Sequence, residues 1–202
     1  MAHGVIAAIL AGGRGTRMGG VAKGRLEVAG RSILSRQLDV ILPHVDRVVV
    51  VANDPMAYGG FGVPVVPDRA GPGCGPLAGL ETALASLSGS EAAALCFAAD
   101  MPCLTATLVQ LLRDEAPAAL VVAPEVDGTP EPLCARYGRA CLPRVSKARE
   151  EGRFKLLDLL RELGGVRIGA DRLRALGLDP RFATNLNTPA DLARLEADFD
   201  RA

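Results

Sequence analysis

The chain has no tryptophan, only two histidines, and aromatic residues at 3% of the sequence. So few rings leave no stock of stacking platforms for single-stranded nucleic acid. Lysine plus arginine and aspartate plus glutamate number 23 each, so no large basic field exists to attract a polyanion. Nucleic acid is therefore not an expected partner. Of the histidines, His3 is terminal and His44 follows Pro43. No His/Cys cluster has zinc spacing and no G-x-S-x-G elbow is present, which sets aside zinc and serine hydrolysis. The five cysteines, Cys74, Cys96, Cys103, Cys134 and Cys141, are odd in number and never form C-x-x-C. They read as reduced thiols in a cytoplasmic protein. No apolar run approaches the roughly 18 residues of a membrane span, and no basic region precedes the first apolar run. Neither a signal peptide nor a membrane contact is expected.

What remains is a chain of 202 residues, 49% hydrophobic, long enough for one domain with a sizeable core over residues 1–202. Apolar runs at Val5–Leu10, Arg47–Ala52, Val63–Val66, Ala93–Ala98 and Leu120–Ala123 read as strands. Helical patterns over Ser32–Leu42, Pro76–Leu87 and Thr105–Glu115 lie between them. The strands are near-continuous Val, Ile, Leu and Ala, as expected where helices cover both faces of a sheet. This alternation predicts an α/β fold: three layers, a Rossmann-like, mostly parallel sheet with helices on both faces. Its ligand belongs outside the carboxyl ends of the strands. Beyond Pro124 the pattern loosens. A turn is predicted at Asp127-Gly128, a short strand at Leu133–Tyr137, helices at Gly138–Glu150 and Phe154–Leu163, and a short run at Val166–Ile168. Thr188 is placed to cap a final helix opened by Pro189.

The most informative segment is Leu10-Ala-Gly-Gly-Arg-Gly-Thr-Arg-Met-Gly-Gly-Val-Ala-Lys23, directly after the first strand. It holds five glycines with Arg14, Arg17 and Lys23. Glycine-rich backbone can turn several N–H groups into one concavity that binds phosphate oxygens, and the cations add full charge over it. Lys23 follows Ala22 and precedes Gly24, so the spacing is not that of a Walker A loop. Met18 stands where a dinucleotide-binding loop would have its third glycine. A longer basic loop suits a whole nucleoside triphosphate and its leaving group. Asp100, just past the apolar strand Ala93–Ala98, is placed to hold Mg²⁺, which takes one or two carboxylates with phosphate oxygens and water. Asp68 follows another strand, the glycine-rich stretch Gly71–Gly79 feeds a helix, and Asn185 and Asn187 precede the final one. Phosphoryl or nucleotidyl transfer fits this inventory, because its catalysis is largely positioning and charge neutralisation.

The loop Leu10–Lys23, Gly75-Pro76-Leu77-Ala78-Gly79, Asp100-Met101-Pro102 and Asn185-Leu186-Asn187-Thr188-Pro189 occur in one order. In that order the chain resembles MobA-like molybdenum cofactor guanylyltransferases over nearly its whole length. The resemblance implies a nucleotidyltransferase domain that moves GMP from Mg-GTP to the phosphate of molybdopterin. The products would be the guanine dinucleotide cofactor and pyrophosphate, with handover to molybdoenzymes or their chaperones. It implies that Leu10, Ala11, Gly12 and Gly13 hold the guanine and phosphates, and that Arg17 and Lys23 stabilise charge as pyrophosphate leaves. Asp68 would contact the nucleotide, Asp100 would bind both nucleotide and magnesium, and Asn185 and Asn187 would face the pterin. The chain departs from the family pattern at Ala22, where an acid is usual, and at Val51, with Asn53 two residues later. Gly12 is similar to guanylyl members, whereas cytidylyl relatives tend to carry alanine there. The alternatives are a cytidylyltransferase on the same cofactor, guanylyl transfer to another phosphorylated acceptor, and a nucleotide-binding accessory protein without turnover.

Overall fold

The computed structural model describes residues 4–12, 22–69, 75–186 and 188–199. In chain order the elements begin with β1 (Gly4–Leu10), β2 (Glu27–Val28), β3 (Arg31–Ser32), α1 (Ile33–Ile41), β4 (Val48–Val51), α2 (Pro55–Tyr58) and β5 (Val65–Val66). Next come α3 (Gly75–Ala85), β6 (Glu91–Ala98), α4 (Ala106–Asp114), β7 (Val121–Val126), β8 (Thr129–Pro130) and β9 (Cys134–Gly138). The chain closes with α5 (Leu142–Glu150), α6 (Leu156–Leu163), β10 (Val166–Ile168), α7 (Ala170–Ala175) and α8 (Pro189–Phe199).

The main sheet runs β10-β7-β9-β6-β1-β4-β5, with β8 folded back on β7. Its pairs β1–β4, β1–β6, β4–β5 and β7–β10 are parallel, while β9 lies antiparallel between β6 and β7. Strand periodicity sends alternate side chains to opposite faces. Ala7, Ile9, Val48, Val50, Leu95 and Phe97 enter one core with α1 and α4. Ile6, Ala8, Val49, Val51, Ala94 and Cys96 enter the other with α3, α5 and α6. This two-sided burial is why the strands read as unbroken apolar runs, and it gives the expected mostly parallel three-layer α/β fold.

Local signals account for several element ends. Ser32 caps α1 by accepting from the Ser35 amide, and Thr105 caps α4 by accepting from Leu108. Thr188 and Asp191 form a reciprocal capping box at α8: the Thr188 amide donates to the Asp191 carboxylate at 2.8 Å, and the Asp191 amide to the Thr188 hydroxyl at 3.2 Å. Asp127 and Gly128, both at positive φ, make the tight turn between β7 and β8. Sequence periodicity does not reveal the β2–β3 hairpin, α2 or α7. The hairpin strands are two residues long and turn through Ala29-Gly30, and α7 buries only Leu173. Neither is long or periodic enough to leave a signal. No described helix is long and apolar enough to cross a membrane.

Candidate functional site

The parallel strands deliver their carboxyl ends to one edge, and a cleft of about 200 Å³ opens there. Its lining brings together Leu10, Ala11 and Gly12 after β1, Asn53 after β4, Asp68 after β5, Gly75, Pro76 and Gly79 from α3, and Asp100 after β6. Lys23 and Leu133 also line it. The backbone ladder continues past the strands into this edge: the Ala11 amide donates to Val51, Ala52 to Val66, and Ala99 to Leu10, at 2.9–3.1 Å. The cleft floor is therefore rigid sheet rather than free loop. Beyond β5, the Arg69 amide donates to the Thr82 hydroxyl of α3 at 2.9 Å, tying down the segment that carries Asp68.

Lys23 and Asp100 meet across 77 residues of sequence, with Nζ 2.5 Å from Oδ2. The Asp100 side chain is 11% exposed and that of Lys23 30%. Packing explains why Lys23 arrives there. Lys23–Arg25 form a short 3₁₀ turn, and Gly24 is wedged so that a Cβ on it would lie 3.0 Å from the Tyr58 ring and 3.7 Å from Ala99. Arg25 clips the same turn to the α2 region, donating to the carbonyls of Ala57 and Gly59 and lying over the Phe61 ring at 5.3 Å. At Gly12 the surroundings differ, since a Cβ there would meet no described atom within 4 Å. A Cβ at Gly79 would only touch the Leu10 side chain at an ordinary contact distance of 3.4 Å.

Asn185 approaches this edge indirectly. Its side-chain amide donates to the Ala183 carbonyl at 3.3 Å, while the neighbouring Leu186 amide donates to the Asp100 carbonyl at 3.0 Å. Gly13, Arg17 and Asn187 lie outside the described residues, as do Arg14 and the glycines of 71–73. Two residues near Asp100 carry more than the sequence reading assigned them. Gln37 of α1 is 1% exposed and donates to the carbonyls of Ala98 and Met101 at 2.7 and 3.1 Å. A lone amide in the apolar stripe Ile33, Leu34, Leu38, Ile41 was the available signal. Glu131, on the approach to β9, accepts from the Leu133 amide at 3.2 Å. Burial raises its pKa and the Asp100 charge adds to this, against the opposing Leu133 hydrogen bond.

Chemically, the described part of the cleft sets the Lys23 cation beside carboxylates from the ends of two strands, Asp68 and Asp100. Among the described residues no group of three or more His, Cys, Asp or Glu could cage a metal. One or two carboxylates suit Mg²⁺ that takes its remaining oxygens from phosphate and water. Among the described residues no cysteine lines the cleft: Cys96, Cys134 and Cys141 are buried free thiols whose pKa values burial pushes up, that of Cys141 to about 11. A larger cleft, about 500 Å³, lies on the far side of the Asp100 loop between α1 and the α7–α8 region, lined by Pro102, Cys103, Arg36 and Phe182. None of the expected site residues that are described lines it.

Residues 7–166 match the model of the MobA-like NTP transferase domain. The chain belongs to this family. Among its relatives, the molybdenum cofactor guanylyltransferase of Desulfosudis oleivorans is 32% identical over 194 residues, covering 94% of this chain and 93% of its own. That of Rhodobacter capsulatus is 38% identical over 192 residues, covering 93% of each. The crystal structure of molybdopterin-guanine dinucleotide biosynthesis protein A from Archaeoglobus fulgidus superposes with a TM-score of 0.81 at 26% identity, covering 98% of this chain and all of the other. A nucleotidyl transferase from Methanothermobacter, at 19% identity and a TM-score of 0.75, shares the fold. As a MobA-like NTP transferase the chain is a nucleotidyltransferase.

Proposed function

We propose that this chain transfers GMP from Mg-GTP to the phosphate of molybdopterin, forming the guanine dinucleotide cofactor and releasing pyrophosphate. The observation that carries this reading is the convergence of Lys23 and Asp100 at 2.5 Å beside the β1 loop. It occurs in a chain 32–38% identical to named guanylyltransferases along nearly their full length. An oxygen of the acceptor phosphate attacks the α-phosphorus of GTP, the bond from that phosphorus to the β-phosphate oxygen breaks, and both electrons of that bond leave with pyrophosphate. The acceptor is already an anion near neutral pH, so the step needs little general-base help and much charge neutralisation.

In this reading Leu10, Ala11, Gly12 and Gly13 hold the guanine and the phosphates, and Asp68 contacts the nucleotide. Lys23 and Arg17 neutralise charge building on the departing pyrophosphate, while Asp100, with Asp68 nearby, holds magnesium. Bound there, the metal supplies Lewis-acid neutralisation of the phosphate oxygens. Asn185 and Asn187 face the pterin. A missing Cβ at Gly12 supports guanine over the smaller cytosine, since it leaves room beside the β1 edge. The product passes to molybdoenzymes or their chaperones in the cytoplasm, in keeping with the free buried thiols.

The test is a thermal-shift titration with GTP, CTP, ATP and UTP, each with Mg²⁺ or EDTA, followed by pyrophosphate release with molybdopterin. A ligand at 100 times its dissociation constant adds about 2.7 kcal/mol, enough to rank the four bases. Magnesium-dependent selection of GTP and release of pyrophosphate are expected. Preference for CTP reassigns the base, and binding without release makes the protein an accessory nucleotide binder.

A further inference from the structure

We propose that Gln37 is a positioning residue for the nucleotide site: from inside the core it bridges the two carbonyls that bracket Asp100 and so aims the Asp100 carboxylate. The proposal rests on the reading of Asp100 as the group that meets magnesium-bound nucleotide.

Gln37 sits on the buried face of α1 and is 1% exposed, among Ile33, Leu34, Leu38 and Ile41. Its Nε2 donates to Ala98 at 2.7 Å and to Met101 at 3.1 Å, so both amide hydrogens are committed to one turn. Reversing the amide would set Oε1 against two carbonyl oxygens, which fixes its orientation. The arrangement has a cost, because Oε1 is buried and has no hydrogen-bond partner among the described residues. A buried unpaired acceptor is destabilising, and an apolar side chain of the same length would avoid it. The amide therefore serves the turn it holds rather than the packing of its own helix.

That turn has need of such a hold. Asp100 lies past the last residue of β6, and Pro102 offers no amide hydrogen. Other backbone links also reach the segment: the Ala98 amide donates to Leu133 at 3.0 Å, the Ala99 amide to Leu10 at 3.1 Å, and the Asp100 carbonyl accepts from Leu186 at 3.0 Å. Gln37 adds the fixed points on either side, Ala98 before and Met101 after. With both carbonyls pinned, the Asp100 backbone cannot pivot, and its carboxylate stays on the cleft side facing Lys23. Groups that orient a ligating side chain typically matter 10–100-fold to metal affinity.

The experiment compares Gln37→Met and Gln37→Asn with the wild type and with Ile41→Ala. The last loosens the same core without touching the Asp100 turn. GTP binding is measured by calorimetry in EDTA and across a Mg²⁺ titration, alongside kcat, KM and thermal midpoint. The expected result is a rise of about tenfold or more in the Mg²⁺ needed for half-maximal GTP binding in both Gln37 variants. Their affinity for GTP in EDTA stays at the wild-type value, and kcat falls more than KM changes. Gln37→Asn keeps the polar amide and withdraws it by one methylene, so it carries the comparison if Gln37→Met does not fold. A wild-type Mg²⁺ requirement in the Gln37 variants overturns the proposal. So does an equal shift in Ile41→Ala, which would make the effect one of general loosening. If wild-type GTP binding itself ignores Mg²⁺, the reading of Asp100 fails and takes this proposal with it.

Discussion

Lys23 and Gly12 line the same cleft and contrast physically, one bringing a charge and the other lacking a side chain. Removing a preorganised charge contact from a phosphoryl-transfer site costs on the order of 10²–10³ in rate. Lys23→Ala is expected to lose turnover by that factor while folding normally, because Lys23 is part-exposed and Gly24 and Arg25 anchor its turn independently. Steady-state pyrophosphate release read beside the thermal midpoint checks both halves of this expectation. Gly12→Ala makes a sharper contrast. No described atom lies within 4 Å of the added Cβ, so the thermal midpoint should hold while the GTP-to-CTP preference falls. Competition between the two nucleotides in one assay measures it, and an unchanged ratio removes Gly12 from base selection. Sequence made these two positions legible because strand ends and glycine loops mark a ligand edge. It could not show that Lys23 finds Asp100 rather than the Asp68 carboxylate, since that choice depends on Gly24 fitting against Tyr58. Gln37 escaped for a related reason: within a helical stripe it counts as one more core position until the carbonyls opposite it are known.

Among the elements, those buried on two faces were the readable ones. Leu95, Cys96 and Phe97 of β6 are each fully buried, and such a run advertises itself. The β2–β3 hairpin and α7 sit at the periphery with few apolar anchors, so periodicity never builds up. The boundary between α6 and β10 shows what sequence patterning leaves out. Gly165 adopts φ +136°, and a Cβ there would fall 2.4 Å from the Val121 carbonyl oxygen of β7. Backbone strain of this kind costs about 1–3 kcal/mol, and the clash with main-chain atoms adds to it. Gly165→Ala is expected to destabilise the protein by at least that much in urea unfolding. Because β10 is the sheet edge opposite β5, nucleotide affinity of the folded fraction should be unchanged. A stability equal to wild type would show that the α6–β10 connection relaxes freely.

At the scale of the whole molecule, one acid–base pair lies at the end of the sheet away from the cleft. The sheet's amino-terminal edge carries a bidentate pair, Arg47 to Glu91 at 2.7 and 2.8 Å, reinforced by the Ser88 amide at 2.7 Å. The Arg47 hydrogen bond, opposed by burial and helped by Ser88, lowers the Glu91 pKa from the ordinary 4.5 to about 2. Folding thus favours the ionised carboxylate. Its contribution to stability is complete above about pH 4.5 and is lost as pH falls from there toward about 2. Glu91→Gln should lower the thermal midpoint at neutral pH and flatten its decline over that acid range. A pH series of melting curves for both proteins checks this, and parallel acid limbs would argue against Glu91 as the titrating group. The global architecture was the most legible level, since alternation of apolar strands and helices leaves few topologies open. The antiparallel insertion of β9 between β6 and β7 was not, because a strand of five residues carries no mark of its direction.

The amide of Leu186 on the Asp100 carbonyl has a consequence for the order in which the protein comes into being. A chain leaving the ribosome amino-terminus first can assemble β1, β4, β5 and β6 long before residue 186 exists. During that interval the Asp100 turn lacks its link to Leu186, while those to Leu10, Leu133, Gln37 and Lys23 can already form. Assembly of the central strands and completion of the Asp100 turn are thus separate events in the life of one molecule, and the second awaits the last stretch of translation.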